Sequence, residues 1–399
     1  MTDSLASPRA YTRIDQLLPY EQELVAVRRH LHQNPELAFG EHATSDFIAH
    51  RLAEWGYEVT RGIGGTGLVG TLRQGDGARR LGIRADMDAL PIQEATGAAH
   101  ASCVPGLMHA CGHDGHMTML LGAAKYLARH RNFSGTLHLI FQPAEERGFD
   151  SGGKAMVEEG LFERFPCDAV YALHNHPGAP QGRFLMRSGA FMAAGDRVFI
   201  KIVGVGGHAA RPHLAVDPLV AASAIVMSLQ TVVARNVDPA ELAVVTVGRL
   251  RAGDALNVIP ADAELGISVR SFSDAVRALL KERITAVVQG VAQAHGCRAE
   301  INYVQGYPVV VNDAQAVELA AEVAADLVGP DAVDDDFPKL MGSEDFAYML
   351  QRRPGALVRI GNGPADDGRG LHNPRYDFND LNLPFGAAFW CQLTERFLR

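Results

Sequence analysis

The segment Met108-His109-Ala110-Cys111-Gly112-His113-Asp114-Gly115-His116 sets a thiol, three imidazoles and a carboxylate within nine positions. Further along come Glu145-Glu146, then His174 and His176 after an apolar run, and finally Leu371-His372-Asn373. Thiolate, imidazole and carboxylate together form the donor set of a borderline divalent ion such as zinc, manganese, cobalt or nickel. The donors are spread from position 111 to position 372, so any common site must be assembled by the fold rather than by a local zinc knuckle. Adjacent glutamates allow one to bind metal while the other moves protons, which reads as a metallohydrolase.

At 399 residues the chain exceeds what one hydrophobic core usually supports, so two domains are expected. A formal charge of −9 argues against a nucleic-acid partner, which normally needs a basic surface, but leaves room for a local basic pocket and an anionic substrate. Five cysteines, odd in number and widely spaced, do not form a disulfide framework and suit a reducing compartment. The first thirty positions hold Asp3, Asp15, Glu21 and Glu23 without an apolar h-region, and no apolar run has the length of a membrane span. The expected location is cytoplasmic, with no membrane partner.

Apolar positions at helical spacing predict helices over 14–32, 43–55 and 115–130, the last with Met117, Leu120, Leu121, Ala124 and Leu127 on one face. Strands are expected at 82–86, 137–141 and 169–173. Their alternation with helices implies an α/β fold: a mixed, largely parallel sheet flanked by helices. Asp86, Glu145, Glu146 and His174 all fall at the C-terminal ends of these strands, the edge where open α/β sheets bind ligands. Between about 197 and 304 the order becomes β-α-β-β-α-β, a ferredoxin-like α+β pattern. The expectation is a discontinuous catalytic domain, 1–192 and 306–399, with an inserted domain at 193–305.

Gly62-Ile63-Gly64-Gly65-Thr66-Gly67 matches G-x-G-x-x-G, but a strand-like run follows it where a nucleotide site needs a helix, so it reads as a strand connection. Cys111 and His113, flanked by Gly112 and Gly115, can be aimed at one point by a tight loop. Cys111 also precedes a helix N-terminus, whose dipole favours thiolate. His109, His116 and His176 are expected to be structural or to orient a ligand. Glu145 and Glu146 follow a buried strand and Pro143, which places them in a cleft. In the inserted domain, His208 lies on a glycine-rich loop, and Asn257 and Arg270 lie on or beside strands.

These residues resemble the metal-dependent aminoacylase and carboxypeptidase family, within it the branch of hippurate hydrolases and auxin-conjugate amidohydrolases. The matching elements include Arg84-Ala85-Asp86-Met87-Asp88-Ala89-Leu90-Pro91, the His109 to His116 block, Gln142-Pro143-Ala144-Glu145-Glu146 and Ala172-Leu173-His174. Gly207-His208-Ala209-Ala210, Asn257-Val258-Ile259-Pro260, Ser343-Glu344-Asp345-Phe346 and Leu371-His372-Asn373-Pro374 follow in the family's order. The resemblance implies two divalent ions per subunit (manganese, zinc, cobalt or nickel), held by Cys111, His113, Glu146, His174 and His372. It implies Glu145 as general base and Asp86 as a group that orients a ligand. The inserted domain would serve as a lid and dimerisation domain, giving a homo-oligomer, a dimer or tetramer. His208 would stabilise the developing oxyanion, and Asn257 and Arg270 would hold the substrate carboxylate. The wider family has a zinc-binding histidine where this chain has Arg84 and a bridging carboxylate near Cys111, and relatives of the hippurate type often have methionine where this chain has Arg211. The implied activity is amide hydrolysis of an N-acyl or N-aroyl L-amino acid. The competing readings are a carboxypeptidase or dipeptidase acting on unblocked peptides, and a non-catalytic metal- or peptide-binding protein.

Overall fold

A computed structural model describes residues 11–399. The chain divides into two compact units. One comprises the chain up to Gly189, Val311–Pro338 and Tyr348–Arg399; the other comprises Ala190–Val310 and Lys339–Ala347.

The first unit is built on an eight-stranded sheet, in the order Glu58–Ile63, Gly67–Gln74, Gly135–Gln142, Arg80–Asp86, Ala169–His176, Gly355–Gly361, Phe184–Leu185 and Val333–Asp334. The four strands from Gly135–Gln142 to Gly355–Gly361 run parallel. Each is buried along almost its whole length, as a sheet covered on both faces requires. Parallel pairing puts the ends at Asp86, Gln142 and His176 on one edge of the sheet.

Helix His113–His130 packs on this sheet and against helices Glu21–Gln33 and Asn382–Phe397. That sandwich explains why its burial extends well beyond the expected apolar face to Thr118, Met119, Gly122 and Tyr126. The glycine-rich segment at 62–67 is the connection between two antiparallel strands, Glu58–Ile63 and Gly67–Gln74, as expected.

The second unit is an antiparallel sheet ordered Ala243–Arg251, Asp262–Ser271, Ala194–Val203 and Arg298–Val304, joined by helices Pro218–Asn236 and Asp274–Ala294. This is the β-α-β-β-α-β order read from the sequence. Strict alternation along Ala194–Val203 and Asp262–Ser271 directs Val198, Ile200, Ile202, Leu265 and Ile267 into one core with Ile225, Leu229, Leu280 and Ile284. Helix Pro218–Asn236 is long and apolar enough by composition to cross a membrane, yet it buries Ala221, Ala222, Ile225, Leu229 and Val232 in this core.

The unit boundaries, at Gly189 and Val310, lie a few residues outside the expected 193 and 305. The segment Lys339–Ala347, expected to belong with the C-terminal part of the catalytic domain, joins the second unit instead. The reason is backbone pairing: Met192 bridges Leu340, and the Ala193 N–H donates to the carbonyls of Leu340 and Gly342 at 3.1 and 3.0 Å. Arg277 further braces this unit, with its Nε 3.1 and 3.0 Å from the two oxygens of Asp196.

Candidate metal centre

The motif loop is tied down before the helix begins. Met108 and Leu90 exchange backbone hydrogen bonds at 3.0 Å, and the Ala110 carbonyl accepts the His372 N–H at 2.8 Å. Gly112 then takes φ +97°, a left-handed conformation that glycine adopts without strain, and a Cβ there would collide with Asn175 and Tyr376. This turn puts Cys111 just before helix His113–His130 and His113 at its first residue.

His113 Nδ1 donates to the Asp88 carbonyl at 2.7 Å, while its Nε2 is buried with no hydrogen-bond partner. The Asp88 carboxylate accepts the backbone N–H groups of Glu145 and Glu146 at 3.0 and 2.9 Å, one on each oxygen. Asp88, through its carboxylate and its backbone carbonyl, therefore fixes the turn bearing both glutamates and the ring of His113 together. The turn is entered through Ala144 at φ +52°, a strained value for a non-glycine residue, whose N–H donates to Glu41 at 2.8 Å. His174 Nδ1 donates to the Asn175 carbonyl at 2.7 Å, which turns Nε2 toward Cys111 Sγ at 3.4 Å. His372, itself at φ +61°, reaches Glu146 Oε1 with Nε2 at 3.0 Å.

All five expected ligands and Glu145 thus converge within the first unit. Donor atoms within 4.8 Å of one another form the groups Cys111–His113–His174, Cys111–Glu146–His372 and His113–Glu145–Glu146. Cys111, His113 and Glu146 each belong to two of these groups, so the groups share donors and form one continuous cluster.

The electrostatics fit a cation. Burial and the Glu146 carboxylate push the Cys111 thiol up, against the helix-dipole expectation, so the charge that would hold a thiolate here is a metal ion's. Burial and the Arg359 charge hold His174 well below its ordinary value, leaving the neutral imidazole that ligates. His372 is pushed up to about 10 by Cys111 and Glu146, which outweigh its burial. Burial would lower His113, but Asp86 and Cys111 raise it well above the usual range. The acidic groups draw positive charge into the centre, and the buried Nε2 of His113, without a hydrogen-bond partner among the described residues, is a polar atom that an ion would satisfy.

Asp86 lies 3.7 Å from His113 Nε2, but its short contacts are with His116 Nδ1 at 2.7 Å and Arg84 Nη1 at 2.7 Å. His116 in turn accepts the Asn175 N–H on Nε2 at 3.1 Å, and Asn175 Nδ2 donates to the Tyr376 hydroxyl at 2.7 Å. His116 is therefore a brace between Asp86 and the strand carrying His174. His109 is buried with neither ring nitrogen partnered and is lowered by burial to about 3. His176 packs edge-on against Phe337. Neither joins the donor groups. Sequence reasoning missed Asp88 and Asn175 as positioning residues; for Asp88 the available signal was a second aspartate directly after the strand that ends at Asp86.

His208, Asn257 and Arg270 lie in the second unit. His208 pairs with Val258 across a short antiparallel bridge, and the Asn257 carbonyl accepts the Ala209 N–H at 3.0 Å, so His208 and Asn257 are neighbours on exposed loops. Arg270 is half-buried opposite Gly195, whereas the loop with His208 leaves the sheet beside the Val203–Asp262 pair. Eight residue steps along the strand separate Asp262 from Arg270, about 26 Å at the usual rise.

Imidazole, thiol and carboxylate donors at the carboxyl edge of a parallel sheet, with a further buried carboxylate beside them, define a metal-dependent hydrolase. The chain belongs to peptidase family M20/M25/M40, whose pattern matches residues 82–396. It is 43% identical over 386 residues to the hippurate hydrolase of Campylobacter jejuni, covering 97% of this chain and 99% of that protein. It is 40% identical over 382 residues to the IAA-amino acid hydrolase ILR1-like 2 of Arabidopsis thaliana, covering 94% and 85%. Among solved structures, a dinuclear metal binding peptidase of the same family from Bacillus subtilis matches with a TM-score of 0.81 at 32% identity, covering 95% and 99%.

Proposed function

We propose that the protein hydrolyses the amide bond of N-acyl or N-aroyl L-amino acids, with Glu145 as general base. The observation that carries this reading is the Glu145-Glu146 turn pinned by Asp88, which sets one carboxylate among the metal donors and a second, buried one beside it. The relatives support the substrate class, since a hippurate hydrolase and an IAA-amino acid hydrolase are named for acyl-blocked amino acids.

Cys111, His113, Glu146, His174 and His372 would hold two divalent ions, of manganese, zinc, cobalt or nickel. Such ions supply a Lewis acid that polarises the scissile carbonyl and acidifies water. Glu145 takes a proton from the attacking water and returns it to the leaving nitrogen. Asp86 and His116 hold the strand end that carries His174, so the imidazole keeps its direction during the reaction.

His208 would donate to the oxyanion, and Arg270 would pair with the substrate carboxylate through its two-pronged guanidinium. The His208–Val258 pair forms a separate two-stranded sheet while Arg270 lies far along strand Asp262–Ser271, which supports a homo-oligomer in which the His208–Asn257 loop of one copy and Arg270 of another serve the same substrate. The cysteines of the described structure are all free thiols, which supports a cytoplasmic enzyme.

The test is amino-acid release by protein stripped of metal and reloaded with each ion, on hippurate, N-acetyl amino acids and dipeptides. Cleavage of the blocked substrates, restored by metal, is the expected result. Cleavage of dipeptides alone would reassign the protein as a peptidase.

A further inference from the structure

The glycine-rich connection at 62–67 contributes no donor to the metal centre, yet it packs against the turn that bears the two glutamates. At Gly67 an added Cβ would overlap the Ile63 carbonyl oxygen and lie 2.9 Å from Pro143 Cδ, so glycine is what lets the connection approach the turn so closely. The Gly64 N–H donates at 2.7 Å to Glu159, the residue after helix Gly152–Glu158. At the other end of that helix the Gly152 N–H donates to the Ala144 carbonyl at 3.1 Å. Connection and turn are thus tied to opposite ends of one short helix.

Glu41 joins them directly. It is fully buried and immediately precedes helix His42–Glu54, where the first N–H groups need an acceptor. Glu36 meets that need, accepting the N–H groups of Ala43 and Thr44 at 3.1 and 2.8 Å, and the Glu41 side chain makes no cap bond. Its carboxylate instead accepts the Thr66 hydroxyl at 2.5 Å on one oxygen and the Ala144 N–H at 2.8 Å on the other. Ala144 enters the turn at φ +52°, and the N–H groups of Glu145 and Glu146 follow on Asp88. Two buried carboxylates therefore hold three successive N–H groups. A left-handed alanine persists only where its surroundings fix it, and Glu41 accepts the one N–H of this run that Asp88 does not.

We propose that Glu41 is a positioning residue for the general base: steered by Thr66, it locks Ala144 in the left-handed conformation and so fixes the direction of the Glu145 side chain. The effect on catalysis rests on Glu145 being the base, as the proposed function holds; the locking of the turn does not. Glu41 acts through the backbone, so its removal changes turnover more than substrate binding.

The test compares Glu41→Ala, Glu41→Gln and Thr66→Val with wild type, all saturated with metal, by hydrogen–deuterium exchange and by steady-state hydrolysis of hippurate. Glu41→Ala should speed exchange of the 144–146 amides about tenfold or more and lower kcat about tenfold to a hundredfold, with KM changed less than about threefold. Glu41→Gln should recover most of both losses, because its amide oxygen still accepts the Ala144 N–H while its NH₂ donates to the Thr66 oxygen. Thr66→Val keeps the side-chain shape and should reproduce both changes in weaker form, which preserves the test if Glu41→Ala does not fold. Exchange at 144–146 as slow in Glu41→Ala and Thr66→Val as in wild type overturns the lock, and Glu41→Gln no better than Glu41→Ala overturns its hydrogen-bonding basis. Faster exchange with unchanged kcat overturns the link to the base. Exchange needs no substrate, so a wild-type protein inactive on hippurate would count against the proposed function while the lock stands or falls by exchange.

Discussion

Asp88→Asn tests the reasoning about the centre most directly. In the wild-type protein each carboxylate oxygen accepts one backbone N–H, from Glu145 at 3.0 Å and from Glu146 at 2.9 Å. Asparagine has nearly the same shape but keeps only one acceptor oxygen and turns an NH₂ group toward the second N–H. One charge-assisted bond is lost, worth roughly 1.5–3 kcal/mol, and the remaining bond becomes neutral and weaker. A buried N–H facing a donor adds about 1–3 kcal/mol of unmet desolvation, so the turn moves rather than bears the cost. A shift of about 1 Å in a catalytic carboxylate costs on the order of a hundredfold in rate. The expected outcome is a kcat for hippurate about a hundredfold lower, a smaller change in KM, and a lower melting temperature even for metal-stripped protein. Steady-state kinetics and calorimetry measure these. A variant within about threefold of wild type, melting at the same temperature without metal, would refute the role given to Asp88.

Glu145→Gln should retain bound metal, measured by elemental analysis, while turnover falls by about two to four orders of magnitude. Near wild-type activity in that variant would sink the mechanism. Cys111→Ala removes a donor common to two groups and should lower metal content at both positions, whereas His174→Ala should lower it chiefly at one; equal stoichiometry in both variants would argue against a shared thiolate. Gly112→Ala combines a positive φ with overlap against Asn175 and Tyr376, and should destabilise by about 2–4 kcal/mol, seen as a fall in melting temperature. Burial would lower His32, but its hydrogen bond and ion pair with Asp114 and its contact with Glu94 push it up to about 10. Because that value lies above the ordinary 6.5, the stabilisation is complete below about pH 6.5 and is lost as pH rises through about 10. The melting-temperature advantage of wild type over His32→Gln should therefore shrink across that window, and a constant difference would contradict the assignment.

Much of this protein is legible in one dimension. Strand and helix periods are local properties of the chain, so the β-α-β-β-α-β insertion and the parallel strands ending at Asp86, Gln142 and His174 follow from the pattern of apolar residues. Parallel strands bring those ends to one edge, so the sequence also determined that Glu145, Glu146 and His174 would face a common cleft. What it could not supply is the partner that each of the three histidines in one short segment meets. His109, His113 and His116 are the same chemistry a few residues apart, and their roles are set by what lies opposite: no hydrogen-bond partner among the described residues for His109, the Asp88 carbonyl for His113, Asp86 for His116. Those partners come from another strand, and no local period encodes them.

Tertiary structure likewise decided that Lys339–Ala347 joins the second unit, through backbone bonds to Ala193 that any sequence could make. It also placed Arg270 at the far end of strand Asp262–Ser271 from Asp262, since register along a sheet converts sequence position into distance. Residue type fixed the chemistry available to this chain, and long-range packing fixed which of those groups meet, because a side chain's direction depends on backbone dihedrals and neighbours far away in the sequence.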